Sequence, residues 1–247
     1  MYRYFINISF LLCCVLLSAQ EEKLIQKDSV VHKDKYGLRV GIDLSKPVRA
    51  MLDDNYKGLE LVGDFRISRK LYLAAEIGSE EKFTEEDLYN FNTTGSYIKA
   101  GIDYNTYENW YGMQNLIYTG FRVGVSTFTQ ELLDYRIYNV DQYWNEGTTS
   151  GENLLGEYDG LTAQWAELVF GVKAEVLKNV YLGASVRLNY LVNQTEATQF
   201  PNLYIPGFNK VTDGSNFGIG YNYSLTYFVP IFKKAKKSKK EDKEGKK

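Results

Sequence analysis

FGIGYNYSLTYFVPIF, residues 217–232, is the stretch on which the reading of the whole chain turns. Phe217, Ile219, Tyr221, Tyr223, Leu225, Tyr227 and Val229 fall on one face, and Gly218, Gly220, Asn222, Ser224 and Thr226 on the other. A period of two is the signature of a β-strand, since successive side chains point to opposite faces of a sheet. The stretch is longer than most strands of soluble proteins and ends on aromatic residues, as the closing strand of a transmembrane β-barrel does.

The opposite end of the sequence agrees. Residues 1–20, MYRYFINISFLLCCVLLSAQ, place Arg3 before an apolar run from Ile8 to Leu17 and a small-residue exit at Ser18 and Ala19, the pattern of a cleaved secretory signal. Cleavage beside Gln20 removes Cys13 and Cys14, the only cysteines, and with them disulfides and cysteine-ligated metals. Acylation of one of these cysteines is the alternative, but Leu12 stands where a small residue would precede Cys13. Mean hydropathy is −0.35, and no apolar run after residue 20 is long enough for a spanning helix. Neither point counts against a barrel, in which only alternate residues face lipid.

Working inward from the signal, residues 21–35 are charged and without sustained pattern, and read as a flexible periplasmic lead-in. Eight strands are expected in residues 36–232: Tyr36–Ser45, Gly58–Ser68, Leu71–Ser79, Gly95–Asn105, Leu116–Phe128, Gln164–Val176, Val180–Val192 and the closing strand. Tight connections at 68–70 and 177–179 alternate with long polar loops at 46–57, 80–94, 129–160 and 193–216. That asymmetry is the one membrane barrels show between their periplasmic and outer ends. Tyr107, Trp110 and Tyr111 give one connection the aromatic character of a membrane boundary. The expected fold is an all-β, eight-stranded antiparallel up-and-down transmembrane barrel, with a disordered basic tail over 233–247. That tail carries nine lysines and three acids, leaving the body acidic although the formal net charge is only −2.

Alternation alone fits a soluble, secreted calycin-like barrel as well as a membrane barrel turned inside out, and the polar faces separate the two. They carry Arg39, Arg66, Lys99, Arg122, Lys173 and Arg187 with Asp43, Glu60, Asp64, Glu76, Asp103, Glu167 and Glu175. A cation facing lipid near the midplane costs about 2–4 kcal/mol, so six would consume a typical domain stability of roughly 5–15 kcal/mol. In a membrane barrel these faces therefore line the interior. Balanced charges interleaved with glycines then imply a plug of ion pairs, with no open pore. Hairpin register sets Arg187 diagonal to Glu167.

These patterns resemble the small eight-stranded outer-membrane barrels of the OmpA transmembrane-domain and OmpX type. They look more closely like an uncharacterised Bacteroidota family of such barrels. The resemblance covers about Tyr36 to Phe232 and rests on the strand pattern, the LLSAQ exit and the YFVPIF ending. It implies insertion by the outer-membrane barrel assembly machinery, which reads an aromatic-ended last strand, here Tyr227, Phe228 and Phe232. It also implies contact with outer-membrane lipid and lipopolysaccharide. The lysine tail beyond Phe232 is a departure from many such barrels.

Catalytic chemistry is sparse. The sole histidine, His32, precedes the first strand, so neither a Ser-His-Asp site nor a histidine metal cluster can be built within the barrel. A carboxylate enzyme using Glu167 and Glu175 is the less favoured alternative, and no cofactor or metal is expected. Glu80, Glu81, Glu85, Glu86 and Asp87 match no defined calcium loop and read as a solvated acidic loop. Tyr135, Tyr138, Tyr143, Trp144 and Tyr158 supply contact area suited to surface recognition of an unknown ligand, or extend the strands and pack together. The tail would meet anionic headgroups or cell-wall polymers rather than nucleic acid, and Asp28-Ser29-Val30 is a short candidate O-glycosylation acceptor. A non-enzymatic structural or adhesive role is the expectation.

Overall fold

The computed structural model describes residues 33–107, 113–138, 148–197, 201–211 and 215–235. The expected signal, most of the lead-in and most of the tail lie outside this range. Eight long strands follow one another: β1 (Lys33–Asp43), β2 (Tyr56–Arg66), β3 (Leu71–Glu85), β4 (Tyr89–Asn105), β5 (Leu116–Tyr138), β6 (Gly156–Leu177), β7 (Val180–Gln194) and β8 (Phe217–Ala235). Each pairs antiparallel with its sequence neighbours, and β8 pairs with β1, closing an up-and-down barrel.

The stagger of the closed sheet can be read from its register. From Ile42 one route runs Leu61, Ile77, Ile98, Val125 to Gln164 on β6. The other runs Leu225, Leu182 to Ala174 on the same strand, ten residues away. Such a shear tilts the strands strongly and, with eight of them, leaves an interior that side chains can fill. The seam is tight: a Cβ on Gly41 would lie 1.9 Å from the Leu225 carbonyl oxygen, so only glycine lets β1 approach β8 there.

The faces sort as the charge argument requires. Leu59, Ile77, Ile98, Phe121, Phe170 and Val186 form part of an outward apolar belt, whereas Arg39, Glu60, Lys99, Arg122, Glu167 and Arg187 are buried. This is a transmembrane barrel fold, apolar outside and charged within.

Several boundaries differ from the sequence expectation. The segment after β1 holds a helix, α1 (Ser45–Leu52), because Pro47 sits in its first turn, where a missing N–H breaks no intrahelical bond. The strands also rise beyond the apolar belt. β3 and β4 continue through the supposed acidic loop to Glu85 and Tyr89, and β5 and β6 invade the supposed 129–160 loop. Above a membrane both faces are wet, so the hydropathy alternation fades while the ladder continues. Finally, the 193–216 segment contains a small hairpin, Tyr204–Ile205 against Asn209–Lys210, whose turn enters the barrel mouth.

At the termini, β1 begins within the supposed lead-in and β8 runs past Phe232 into the supposed tail.

Candidate functional site

Three levels of buried polar side chains fill the barrel, set by the inward positions of the strands. In the central level, Lys99 Nζ lies 3.2 Å from Glu167 and 3.7 Å from both Glu60 and Glu76. Arg122 bridges Glu76 and Asp103, and Arg187 reaches Glu76 at 2.9 Å, Glu60 at 3.4 Å and Glu167 at 4.0 Å. Three cations thus face four carboxylates. The surplus negative charge is met by neutral donors: Trp165 Nε1 donates to Glu167 at 2.7 Å, Asn222 to Glu60 at 3.3 Å, and the Tyr97 hydroxyl to Glu60 at 2.5 Å.

Nearer the short-turn end the imbalance reverses. Asp64 alone serves Arg39 at 2.7 Å and Lys173 at 2.6 Å. The Arg39 guanidinium lies between the Tyr72 and Tyr181 rings, 4.9 and 5.1 Å from their centroids, and Lys173 lies 5.2 Å from that of Tyr118. Aromatic faces offset the surplus positive charge. Below this, Arg66 covers the Tyr36 ring and donates to the carbonyls of Lys35, Ser68 and Arg69, closing the short-turn end.

At the long-loop end, Lys46 of α1 bonds Glu80 at 2.5 Å, and the Tyr204 hydroxyl donates to the same carboxylate at 2.5 Å. Burial works against the Lys46 charge, but Glu80 beside it more than offsets this and raises its pKa above the ordinary lysine value. Burial, with Glu80 again, drives the Tyr204 hydroxyl well above its ordinary pKa. Ile205 and Phe208 pack with Trp165, Phe128, Leu161 and Tyr97. Gly207 turns this plug at φ +82°, where a Cβ would lie 2.6 Å from the Tyr97 ring.

A family model described as a domain of unknown function, DUF6048, matches residues 1–234. The chain belongs to the DUF6048 family. No curated protein matches it in sequence. Among solved structures this DUF6048 chain is similar to Ail, the attachment invasion locus protein of Yersinia pestis. That match has 8% identity over 78% of this chain and 97% of that one, with a TM-score of 0.39. It is similar also to Neisserial surface protein A, at 14% identity over 79% and 95%, with a TM-score of 0.41. A third, Acinetobacter baumannii CarO2, shows 11% identity over 80% and 99%, with a TM-score of 0.39.

The site residues read from the sequence of this DUF6048 member do not all join one network. Arg39, Glu60, Asp64, Glu76, Lys99, Asp103, Arg122, Glu167, Lys173 and Arg187 take part in the two ion-pair levels. Asp43 instead accepts from Ser45 and from the Tyr223 N–H, fixing the bend from β1 into α1. Glu175 is only partly buried and accepts from the Asn179 N–H and the Tyr181 hydroxyl, holding the β6–β7 turn. Glu167 and Glu175 lie eight residues apart on one strand, about 26 Å. A pair so placed cannot share one substrate bond.

Tyr135 and Tyr158 pack against Phe91, Leu132 and Tyr204 above the belt. The Tyr138 side chain, Tyr143 and Trp144 lie outside the described residues. In the closing strand Tyr227 faces out, Phe228 is buried edge-on against Tyr181, and Phe232 stacks on Tyr36 at 5.3 Å.

Lys46, Tyr97, Trp165 and Tyr204 were not singled out from the sequence, and Glu80, read there as part of a solvated acidic loop, is buried between Lys46 and Tyr204. For Glu80 a signal existed: it follows Glu76 by four residues and so shares its inward face in any strand that continues past Ser79.

Proposed function

We propose that this protein is a non-enzymatic outer-membrane barrel with a closed interior, serving the envelope structurally and at the cell surface through its long-loop end. The observation that carries the reading is the reversed sorting of the faces. Ion-pair levels occupy the centre, while a belt including Leu61, Ile102, Phe121, Leu168 and Ile219 faces outward. A secreted soluble barrel would expose that whole belt to water, far more contiguous apolar surface than soluble monomers carry.

The filled interior favours a structural element over a channel, and the burial of Glu167 among cations favours an ion-pair role over catalysis. Outer-membrane lipid, lipopolysaccharide and the barrel assembly machinery are the partners that follow from this setting. The strand extensions raise Tyr135, Tyr158 and their neighbours above the belt, where they would serve as the base of a recognition surface.

The test is mobility of the detergent-extracted membrane fraction on a gel, heated against unheated, followed by planar-bilayer conductance of the purified protein. A heat-dependent shift with no steady conductance supports the reading. Recovery in the soluble secreted pool overturns the membrane setting, and a stable ion current overturns the closed interior.

A further inference from the structure

Among the described residues the barrel wall is incomplete at one place. The β1–β8 ladder stops at Asp43 opposite Ser224, and the β1–β2 ladder stops at Ile42 opposite Leu61. β8 nevertheless continues to Phe217, paired with β7 along its other edge. Tyr223 shows which way the free edge points. Its N–H donates to Asp43 at 3.3 Å, and its carbonyl accepts from the Leu44 N–H at 2.5 Å. By the two-residue period, Ile219 and Tyr221 direct their backbone groups the same way, past the end of β1, where no strand lies among the described residues. Open sheet edges are not tolerated against hydrocarbon, so this one requires a cover.

A cavity of about 850 Å³ occupies the gap. One side is formed by Lys46 and Arg49 of α1 with Lys82 of β3, and another by Ile219 and Tyr221. The last two are 74% and 64% exposed and belong to the outward apolar belt, so the cavity communicates with the lipid side of the wall as well as with the mouth. Val48, Met51 and Leu52 leave further apolar surface exposed on α1. The cations are unevenly matched. Lys46 is held by Glu80 and Lys82 by Asp53, but Arg49 lies over the Tyr56 ring at 4.1 Å with no carboxylate in ion-pair range among the described residues. Glu86 is the one carboxylate in the lining among the described residues.

We infer that this lateral chamber takes an anionic membrane lipid, with its phosphate against Arg49 and Lys82 and an acyl chain along Ile219 and Tyr221. A lipid fits better than a soluble anion because the apolar part of the lining faces the bilayer. The inference rests on the membrane setting proposed above, which the heat-dependent gel shift tests separately.

The experiment is native mass spectrometry of the full mature chain, folded in a non-ionic detergent, with dioleoyl phosphatidic acid and dioleoyl phosphatidylcholine in competition. One phosphatidic acid should be retained roughly tenfold over phosphatidylcholine, and Arg49→Gln should reduce that preference roughly fivefold or more while leaving the gel shift unchanged. Equal retention of the two lipids overturns the proposal, as does an undiminished preference in Arg49→Gln. Loss of the bound lipid on adding millimolar inorganic phosphate would show a soluble-anion site instead. If Arg49→Gln does not fold, the wild-type competition decides alone.

Discussion

Arg187 on β7 is bonded to Glu76 on β3 across the full width of the barrel, Nη1 to Oε2 at 2.9 Å, over a separation of 111 residues. The two strands stand opposite one another in the ring, so this contact ties walls that share no ladder. Register within the β6–β7 hairpin points to Glu167 as the partner, and Glu167 is indeed near, at 4.0 Å, but the shorter bonds go across the interior.

Arg187→Glu should therefore be far more damaging than a charge reversal at the surface. It would place a fourth carboxylate among Glu60, Glu76 and Glu167 and leave Lys99 as the one cation that all three share. Breaking a buried pair in this way costs about 3–5 kcal/mol, whereas Lys57→Glu, on an exposed pair with Glu81, should stay within about 0.5 kcal/mol. Denaturant unfolding in detergent, followed by gel mobility, measures both. Equal effects would show that the interior charges do not act as a network.

Closure at the β1–β8 seam depends on Gly41. A Cβ there would sit 1.9 Å from the Leu225 carbonyl oxygen and 2.6 Å from the Thr226 Cα, both backbone atoms that cannot swing aside. Gly41→Val should abolish the heat-modifiable folded form, while Gly63→Val, whose nearest neighbour would be 3.5 Å away, should retain it. A folded Gly41→Val barrel would mean that the seam can open to admit a side chain.

How much of this was legible in the sequence depends on where hydropathy reports environment. From Leu59 to Ile67 or from Ala166 to Val176 one face meets lipid and the other meets charge, so alternation is sharp and both the strand and its inward residues can be read. Above the belt, Glu81 pairs with Thr94 and Glu131 with Glu157. Polar residues stand on both faces there and apolar ones such as Phe91 and Leu132 are too sparse to set a period of two, so the strands look like loops. The Lys46–Glu80–Tyr204 cluster was hidden for a different reason: its members come from a helix, a strand extension and a loop, and only the closed barrel brings them together.

The plug should be separable from the closed state of the barrel. Gly207→Val forces a β-branched residue into φ +82° against the Tyr97 ring, a strain of about 1–3 kcal/mol that favours withdrawal of the Tyr204–Lys210 turn. Trypsin should then cut after Lys210 faster than in the wild type. Planar-bilayer conductance should remain nil, since Lys99, Arg122 and Arg187 still fill the central level. A current in Gly207→Val would assign the seal to the plug instead.

The anchoring of α1 carries a pH signature whose sign follows from Lys46. Its pKa is raised in the folded protein because Glu80, bonded at 2.5 Å, outweighs the opposing effect of burial. A raised pKa gives stability that is fully present below the unfolded lysine value, about 10.4, and is lost as pH rises through the folded one. Lys46→Met should thus lower stability by about 1.5–3 kcal/mol at pH 7, and by the same amount at pH 9 and 10. The difference should begin to shrink only at more alkaline pH, as the lysine of the wild type finally deprotonates. Unfolding of both proteins in detergent across this range tests the assignment: a difference already closing between pH 8 and 10 would show that Glu80 does not hold Lys46 charged.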